Sequence, residues 1–330
     1  GESVRVVDTL WFGWQPEAHP RLEVIRGDLR DIDPAWLDGV KGVIHLAGLS
    51  NDPTADFAPR LNAEVNVNAA RHLAELTAER ARREGREIRF VAASSCSVYY
   101  CPTRSAAEVL VQTEASLVAP VANYSKTKRL SEIVFLDVAA RSPGFCPVIL
   151  RKGTLFGSAP RMRFDLVVNA FTLHAWKNRL LTVNGSGEAW RPLLHIRDAA
   201  DAYTYCLFAP SAEVRCQVFN VVHKNYRVLE LAHWVVEILE QHRGVSVHVR
   251  RDRASGDGAR SYYVAGDRIG DAIGFRPSRG TTQAVLEIWD ALEAGAFGDD
   301  PAANPWFFNL RWFKEQGIVD ISAAPEPASA

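Results

Sequence analysis

The sequence predicts an α/β protein whose main domain is a doubly wound parallel sheet, joined to a smaller α/β lobe. The run over 42–48 is continuously apolar, as expected of a strand buried on both faces of a parallel sheet. The segment over 61–83 repeats its apolar residues along one face of an amphipathic helix. A second apolar strand follows at 88–93. This strand–helix–strand order is typical of a parallel sheet with helical crossovers.

The remaining elements follow from shorter versions of the same patterns. Asp33 and Pro34 predict a helix start, with the acid as its cap and the proline in its first turn. Gly85 fits the end of the helix over 61–83, and Asp198 fits the cap of a later helix. Apolar runs between turn residues predict strands at 4–8, 22–26, 146–151, 181–185 and 218–222, and helices at 124–140, 199–208, 227–243 and 281–294.

Composition argues against several classes of protein. A net charge of −1 gives no reason to expect binding to nucleic acid or to an anionic membrane surface. No apolar run approaches about 18 residues, so we expect no membrane span, and the start of the chain does not resemble a signal peptide. The 5 cysteines are scattered and lack a Cys-x-x-Cys pair, which favours reduced thiols in the cytoplasm and no metal site.

The segment that contains Tyr124 and Lys128 carries recognisable chemistry. If it is helical, these side chains leave the same face one turn apart and can act on one substrate. A phenol titrates at about pH 10, so it is a poor base at neutral pH unless a neighbouring ammonium stabilises its phenolate. A serine hydroxyl from the end of the strand over 88–93 can hold the same reacting oxygen. Such a group of side chains would transfer protons to or from an alcohol or a carbonyl.

A Tyr-x-x-x-Lys pair also arises by chance, so its context decides its meaning. The motif Ser-Ser-x-x-Val-Tyr at 94–99, followed by Tyr-x-x-x-Lys at 124–128, resembles the extended short-chain dehydrogenase/reductase superfamily, in its nucleotide-sugar epimerase/dehydratase branch. That resemblance implies a Rossmann-type fold, NAD as cofactor and a nucleotide-diphosphate sugar as substrate. It also implies that Ser95, Tyr124 and Lys128 are the catalytic residues.

The resemblance places further residues around the cofactor. An acid at the end of the family's second strand accepts hydrogen bonds from the adenosine ribose, which implies this role for Asp8 and favours NAD over NADP. Asp28 would meet the adenine amine, and Asn66 would support the active-site strand. His45, inside an apolar strand, is interpreted as a core residue. The implied cofactor-binding set is Asp8, Asp28, Leu29, Leu46, Ala47, Gly48, Asn66, Tyr124 and Lys128.

Substrate-binding residues are implied in the second half of the chain. Arg191 holds the place of a family arginine that grips the substrate diphosphate, and Arg260 holds the place of a second one. Thr154 lies in the stretch that resembles the family's crossing from the cofactor domain to the substrate lobe. Asn169 follows a basic loop that suits an anionic diphosphate, although ordinary surface arginines are an equal alternative for that loop.

Chain length allows two domains, or one domain with a sizeable lobe. We expect an NAD-binding Rossmann domain over 1–155 with parts of 185–225, a substrate-binding lobe over 156–184 and 226–315, and a disordered tail over 322–330. Family members are commonly dimers through helices that correspond to 61–83 and 124–140, so a homodimer is possible here.

Three features depart from the family pattern. Sugar 4,6-dehydratases typically carry two acids where this chain has Cys96 and Ser97, which argues against dehydration, and Cys96 is interpreted as a packing residue. Tyr100 stands where the family normally has glycine. The family's first strand and its Gly-x-x-Gly-x-x-Gly turn, which seats the pyrophosphate, occur nowhere in the sequence. We therefore expect that roughly the first 25 residues of the family unit are absent and that this chain binds NAD poorly.

Taken together, the residues favour an NAD-dependent nucleotide-sugar epimerase that oxidises and re-reduces a sugar hydroxyl carbon, with the 4-epimerase type preferred. A nucleotide-sugar ketoreductase or dehydratase stays open as an alternative. A catalytically impaired or non-catalytic dinucleotide-binding protein stays open as well, because the Gly-rich turn is missing. The sequence identifies neither the sugar nor the nucleotide base.

Overall fold

The computed structural model of the protein describes residues 1–13, 17–99, 109–255 and 261–320. Tyr100, Arg260 and the predicted tail at 322–330 lie outside the described residues. Within these described ranges, no helix combines the length and the apolar character that crossing a membrane requires.

Strands and helices alternate along the chain, as the sequence pattern predicts. The strands are β1 (Val4–Asp8), β2 (Leu22–Arg26), β3 (Gly42–His45), β4 (Ile88–Ser95), β5 (Val111–Gln112), β6 (Phe145–Lys152), β7 (Thr154–Phe156), β8 (Leu180–Asn184), β9 (Trp190–His195), β10 (Gln217–Val221), β11 (Lys224–Arg227), β12 (His248–Asp252) and β13 (Tyr263–Val264). The α-helices are α1 (Asp52–Phe57), α2 (Pro59–Ala63), α3 (Ala70–Glu84), α4 (Asn123–Arg141), α5 (Val167–Asn178), α6 (Ile196–Phe208), α7 (Ser211–Val214), α8 (Val228–Arg243), α9 (Arg268–Ile273), α10 (Thr281–Glu293) and α11 (Asn309–Glu315).

The largest sheet is parallel throughout and has the strand order β10-β6-β4-β3. β4 and β6 pair along their whole length, from Ile88 opposite Phe145 to Ser95 opposite Lys152. Their side chains are almost all buried, because α3 and α4 cover one face of the sheet and α6 and α9 cover the other. The predicted doubly wound α/β architecture is confirmed by this arrangement.

β1 and β2 form a separate parallel sheet. Among the described residues, neither β1 nor β3 pairs with a further strand on its open side, so the two parallel sheets are not joined by hydrogen bonds. Apolar side chains on these strands are exposed as a result, Val4 by 53% and Ile44 by 39%. The predicted family order has a strand between β1 and β3, and the described residues do not supply one.

The rest of the chain builds smaller sheets around a core of their own. β9 lies between an antiparallel β11 and a parallel β7, and β8 pairs with β12. α5, α8 and α10 pack together around buried side chains such as Phe171, Leu231 and Trp289. The domain boundaries expected from the sequence stay a prediction.

The helix predicted over 61–83 is helical throughout but is divided into three parts. α2 is followed by a π-helical segment at Glu64–Ala69, and α3 continues to Glu84. Gly85 ends it in a left-handed conformation with φ of 62°, as predicted. Single π turns inside α-helices occur often at functional sites. Here the π segment contains Asn66, one of the predicted cofactor residues.

The prediction that Asp198 caps the helix over 199–208 was wrong. α6 begins at Ile196, and His195 is its cap, because the imidazole accepts a hydrogen bond from the N–H two residues later. Asp198 is buried and instead accepts hydrogen bonds from the backbone N–H of Ser278 and from the Arg279 guanidinium. The carboxylate therefore ties α6 to the segment that precedes α10.

Candidate active site

The candidate site lies where β4 and β6 end and α4 begins. The carboxyl ends of neighbouring parallel strands meet at one edge of a sheet, where side chains from different strands can act together. Ser95 ends β4, and Lys152 ends β6 directly beside it. Tyr124 and Lys128 come from the first two turns of α4. The structure thus brings the three residues predicted to be catalytic to one edge of the main sheet.

Tyr124, Ser95 and Lys128 lie within reach of one another. The Ser95 hydroxyl lies close enough to the phenol of Tyr124 to lower its pKa, and the Lys128 Nζ lies 6.0 Å from the centre of the Tyr124 ring. The same nitrogen donates to the Ala93 carbonyl oxygen at 3.1 Å, which fixes the ammonium near the end of β4. A Cβ built on Gly48 would lie 3.4 Å from it, so the ammonium also borders the segment that follows β3.

Burial changes the acidity of both titratable groups. Loss of hydration raises the pKa of Tyr124 to about 12, although the Ser95 hydroxyl and the charge of Arg163 act in the opposite direction. Burial, and then the charge of Lys152, lowers the pKa of Lys128 to about 7. The sequence predicts that a neighbouring ammonium makes the phenol acidic. In this arrangement loss of hydration outweighs the nearby charges, and the phenol is protonated at neutral pH.

The two neighbouring serines at the end of β4 have different surroundings. Ser94 is buried and donates a hydrogen bond to the Glu132 carboxylate at 2.5 Å. Ser95 contacts the phenol of Tyr124 instead. Successive side chains of a strand point to opposite faces, which explains the difference. This placement supports Ser95, rather than Ser94, as the serine whose hydroxyl was predicted to hold the reacting oxygen.

Glu132 belongs to a buried ionic network beneath the site. It lies one turn beyond Lys128 on α4 and accepts two hydrogen bonds from Arg151 of β6, at 2.9 and 2.8 Å. Arg151 also donates to the Tyr99 phenol at 3.1 Å, which donates to the Asn220 amide oxygen of β10 at 2.6 Å. The network holds α4 against the neighbouring strands and so fixes where the start of α4 meets the strand ends.

The residues predicted at the adenosine end of the cofactor lie at the carboxyl ends of β1 and β2. Asp8 ends β1, is exposed, and accepts a hydrogen bond from the Leu10 N–H at 2.7 Å. Asp28 caps the short turn after β2 and pairs with the Arg30 guanidinium, whose hydrogen bonds lower the pKa of that carboxyl. Leu29 is half-buried against the main core. Asp28 therefore has a partner within the chain, and its contact with adenine stays a prediction.

The segment Leu46–Gly48 follows β3 and is exposed. Gly48 has φ of +149°, and a Cβ there would lie 2.6 Å from the Asn66 amide oxygen, so a larger residue would displace its neighbours. Asn66 is buried, accepts a hydrogen bond from the Leu49 N–H at 2.8 Å and donates to the Leu49 carbonyl at 3.0 Å. Asn66 therefore supports the segment after β3, and its direct contact with the cofactor stays a prediction.

His45 and Cys96 occupy core positions. The His45 imidazole packs against Phe90 and Phe135, and burial lowers its pKa to about 3, which leaves the ring neutral. Cys96 is buried, its thiol donates to the Arg151 carbonyl at 3.2 Å, and burial raises its pKa. Both placements agree with the packing roles that the sequence predicts.

Asn169 shapes the loop between β7 and α5 from within. Its side-chain nitrogen donates to the Arg163 carbonyl at 3.0 Å. Arg163, which the sequence analysis did not single out, donates to the Ser50 hydroxyl at 2.9 Å and forms a two-point ion pair with Asp165 at 2.8 Å. Its charge also reaches the phenol of Tyr124. The basic loop therefore approaches the Tyr124 phenol through Arg163.

The other predicted substrate residues lie on the smaller sheet. Thr154 begins β7 and is half-buried, and Arg191 lies on β9 with its guanidinium 6.0 Å from the centre of the Tyr262 ring. Arg260 lies outside the described residues. The binding of a diphosphate by these residues stays a prediction.

Sequence reasoning missed several polar residues that the fold brings to this edge. They are Asn62 and Thr127 beside Asn66, Glu132 and Arg163, and Lys152 with Tyr203. Two signals were available. Tyr124, Lys128 and Glu132 repeat at four-residue spacing on α4, and Lys152 follows Arg151 at the end of a strand that is apolar as far as Leu150.

Comparison with known proteins decides the family. A sequence model described as the NAD dependent epimerase/dehydratase family matches residues 1–221, more than half of the chain. The chain belongs to this family. The predicted membership is thereby confirmed, and members of the family are NAD-dependent enzymes.

Individual relatives within the epimerase/dehydratase family are distant. UDP-glucuronic acid decarboxylase 1 of Danio rerio and that of Xenopus tropicalis are each 27% identical over 208 residues, which cover 60% of this chain. The match covers 46% of those proteins, so the chain spans about half the length of the curated relatives it matches.

Solved structures show the same fold. MoeE5 in complex with UDP-glucose and NAD superposes with a TM-score of 0.72 at 22% identity, over 89% of this chain and 91% of that one. UDP-glucuronic acid 4-epimerase from Bacillus cereus, in complex with UDP-glucuronic acid and NAD, gives 0.70 at 20% identity, over 84% and 83%.

Proposed function

We propose that this family member is a nucleotide-sugar epimerase of the 4-epimerase type, which oxidises and re-reduces a sugar hydroxyl carbon with NAD. The proposal depends on one observation, the convergence of Ser95, Tyr124 and Lys128 at the carboxyl edge of a parallel sheet. Proteins of the same fold are described in complex with UDP-sugars and NAD, which supports both the cofactor and the class of substrate.

The residues around Gly48 and Lys128 fit one end of NAD. A side chain at position 48 would fill the space beside the Lys128 ammonium, whereas glycine leaves that backbone open to a ligand. Lys128 would donate hydrogen bonds to ribose hydroxyls, and Asp8 would accept them at the adenosine end. When bound, NAD supplies the hydride chemistry. The sequence contains no Gly-rich turn for the pyrophosphate, so we propose that this chain alone binds NAD weakly.

Proton transfer would fall to Tyr124. Its phenol would exchange a proton with the reacting sugar hydroxyl, and the Ser95 hydroxyl would hold that sugar oxygen in place. With its pKa raised to about 12, the phenol is a proton donor in the ligand-free arrangement. It becomes a base only when positive charge near its oxygen increases. Lys128, whose pKa of about 7 leaves it partly protonated at neutral pH, supplies part of that charge.

The surroundings of Cys96 and Ser97 support epimerisation over dehydration. Dehydration needs groups that give and accept protons at these positions. Burial raises the pKa of Cys96, and the Ser97 hydroxyl is buried with no hydrogen-bond partner among the described residues. Neither side chain is suited to proton transfer at neutral pH.

The match to uronic acid decarboxylases supports a second candidate. In a uronic acid one ring carbon bears the carboxylate. Oxidation of the hydroxyl on the neighbouring ring carbon to a ketone gives a β-keto acid, which loses carbon dioxide readily. A decarboxylase would therefore use the same proton-transfer residues as an epimerase and would differ in its product. The mass of the product separates the two activities.

The substitution Tyr124→Phe tests the proposal. The protein is incubated with saturating NAD and either UDP-glucose or UDP-glucuronic acid, and the products are identified by chromatography and mass spectrometry. We expect an isomer of unchanged mass and no accumulation of NADH. Turnover by the variant should fall at least about 100-fold, because general acid–base catalysis is lost.

Tyr205→Phe is the matched control, because Tyr205 is an exposed phenol on α6. Its turnover should equal that of the unmodified protein. If the Tyr124→Phe variant is as active as this control, the phenol of Tyr124 does not transfer protons and the assignment of the reaction centre is wrong. A product that has lost carbon dioxide or water, or a net release of NADH, would replace the epimerase assignment by decarboxylase, dehydratase or ketoreductase.

A homodimer through α3 and α4 is proposed from the family resemblance. In agreement with it, α4 exposes the apolar side chains of Leu130 by 48% and Ile133 by 47%. Sedimentation equilibrium of the protein would measure the assembly directly, and a Leu130→Glu variant should shift it to the monomer.

A further inference from the structure

Lys152 lies beside Ser95, on the face of the sheet opposite the one that α4 covers. It pairs with Ser95 across β4 and β6, and paired residues of strands about 4.8 Å apart point to the same face. Two residues earlier on β6, Leu150 is buried in the cluster that contains Tyr203 of α6. Lys152 points to that side as well, because its Nζ lies 5.3 Å from the centre of the Tyr203 ring.

The ammonium of Lys152 is not balanced by an adjacent carboxylate, whereas the charge of Glu132 acts on Lys128. Among the described residues, the lysine ion pairs are those of Lys41 and Lys177, and neither Lys128 nor Lys152 has one. The two site ammonium groups are close enough for Lys152 to lower the pKa of Lys128. A second ammonium withdrawn from water beside Lys128 and without a counter-ion is unfavourable, and an anion placed beside Lys152 would offset both the lost hydration and the repulsion.

Tyr203 contributes a second unused group at the same place. Its phenol is buried and has no hydrogen-bond partner within the described part of the chain. It lies near enough to Tyr124 to influence the pKa of that residue. A buried hydroxyl without a partner is destabilising, so a ligand that accepts its hydrogen bond gains affinity.

We propose that Lys152, assisted by Tyr203, binds a carboxylate on the sugar ring, which assigns the substrate class as a nucleoside-diphosphate uronic acid. The inference rests on the proposed function, because Ser95 must hold the oxygen of the sugar carbon that reacts. In a 4-epimerase the neighbouring ring carbon bears the terminal carbon of the sugar. A carboxylate at that terminal carbon would come close to the Lys152 ammonium beside Ser95, whereas a neutral hexose leaves that ammonium without a counter-ion.

Calorimetric titration without turnover tests this assignment. UDP-glucuronic acid, UDP-glucose and UDP are titrated separately into the unmodified protein, Lys152→Met and Tyr203→Phe. We expect the unmodified protein to prefer UDP-glucuronic acid over UDP-glucose by about tenfold, the usual scale of a charge-assisted hydrogen bond. Lys152→Met should remove the preference and leave the affinity for UDP unchanged. Tyr203→Phe should reduce the preference in part.

Lys126→Met is the matched control, because Lys126 is an exposed lysine on α4, and it should keep the preference. Lys152→Arg should restore part of it, since the charge is retained. Equal affinity of the unmodified protein for the two sugars would overturn the inference. An equal loss of affinity for all three ligands in Lys152→Met would also overturn it, because the lysine would then contact the diphosphate. Because no turnover is measured, these outcomes are independent of those for Tyr124→Phe.

Discussion

At Lys128, the burial that positions the ammonium also weakens its hold on a proton. An unperturbed lysine titrates at about pH 10.4, whereas burial and the charge of Lys152 lower the pKa of Lys128 to about 7 in the folded protein. Between these values the unfolded chain binds more protons than the folded one. The cost of the buried charge is therefore fully present below pH 7 and is removed as the pH rises toward 10.

The corresponding prediction compares the unmodified protein with Lys128→Met. The free energy of unfolding of the unmodified protein should rise relative to that of the variant between about pH 7 and 10, by at most ~1.4 kcal/mol per pH unit. Urea unfolding at a series of pH values measures the difference. Curves that stay parallel over this range would show that the ammonium keeps an ordinary pKa in the folded state.

At this scale the sequence predicts the local part of the site and not the part that the fold assembles. Tyr124 and Lys128 could be named because helical spacing alone makes them neighbours. The proximity of Lys152 to Ser95 and of Arg163 to the Tyr124 phenol could not be predicted, since each arises only after distant segments have packed. The direction of the Tyr124 pKa shift depends on loss of hydration, which no spacing reveals.

At the scale of elements, α4 is anchored by the buried pair of Glu132 and Arg151. We predict that Glu132→Gln destabilises the fold by about 3–5 kcal/mol, because the guanidinium is then left buried without its counter-charge. The pair is almost completely buried, with 1% and 3% of the side chains exposed. Urea unfolding followed by circular dichroism measures the change.

The same helix offers a control for this prediction. Asp137 pairs with Arg141 one turn along α4, but both side chains are more than half exposed, at 54% and 59%. Asp137→Asn should therefore change the stability by no more than about 0.5 kcal/mol. Similar effects of the two substitutions would show that the Glu132 network does not anchor α4.

The elements that the sequence predicts well are those in which local pattern and tertiary packing agree. β4 and β6 are apolar runs that are buried on both faces, and their positions could be predicted within two residues. The start of α6 could not be predicted, because Asp198 contacts Ser278 and Arg279, which lie far away in the sequence. The π segment around Asn66 is also invisible to a helical pattern.

At the scale of the whole molecule, the α/β class and the parallel sheet were predictable, since continuous apolar strands alternate with amphipathic helices. The relation between the two parallel sheets depends on pairing across the chain. β1 and β3 present open edges among the described residues, and exposed apolar side chains such as Val4 and Ile44 accompany them. A parallel strand placed between them would satisfy both edges and carry a turn toward the candidate cofactor residues.

The last prediction uses a chimera in which a strand, a Gly-x-x-Gly-x-x-Gly turn and a helix are joined ahead of Gly1. We expect the chimera to bind NADH at least about tenfold more tightly than the unmodified chain, because backbone N–H groups and a helix N-terminus then face the pyrophosphate. Fluorescence titration with NADH measures the affinity. A control chimera with valines in place of the three glycines should pair its strand but gain no affinity, because the side chains block the close approach of the pyrophosphate. If both chimeras bind NADH equally, any gain in affinity comes from completing the sheet. The proposal that the strand between β1 and β3 carries a phosphate-binding turn then fails.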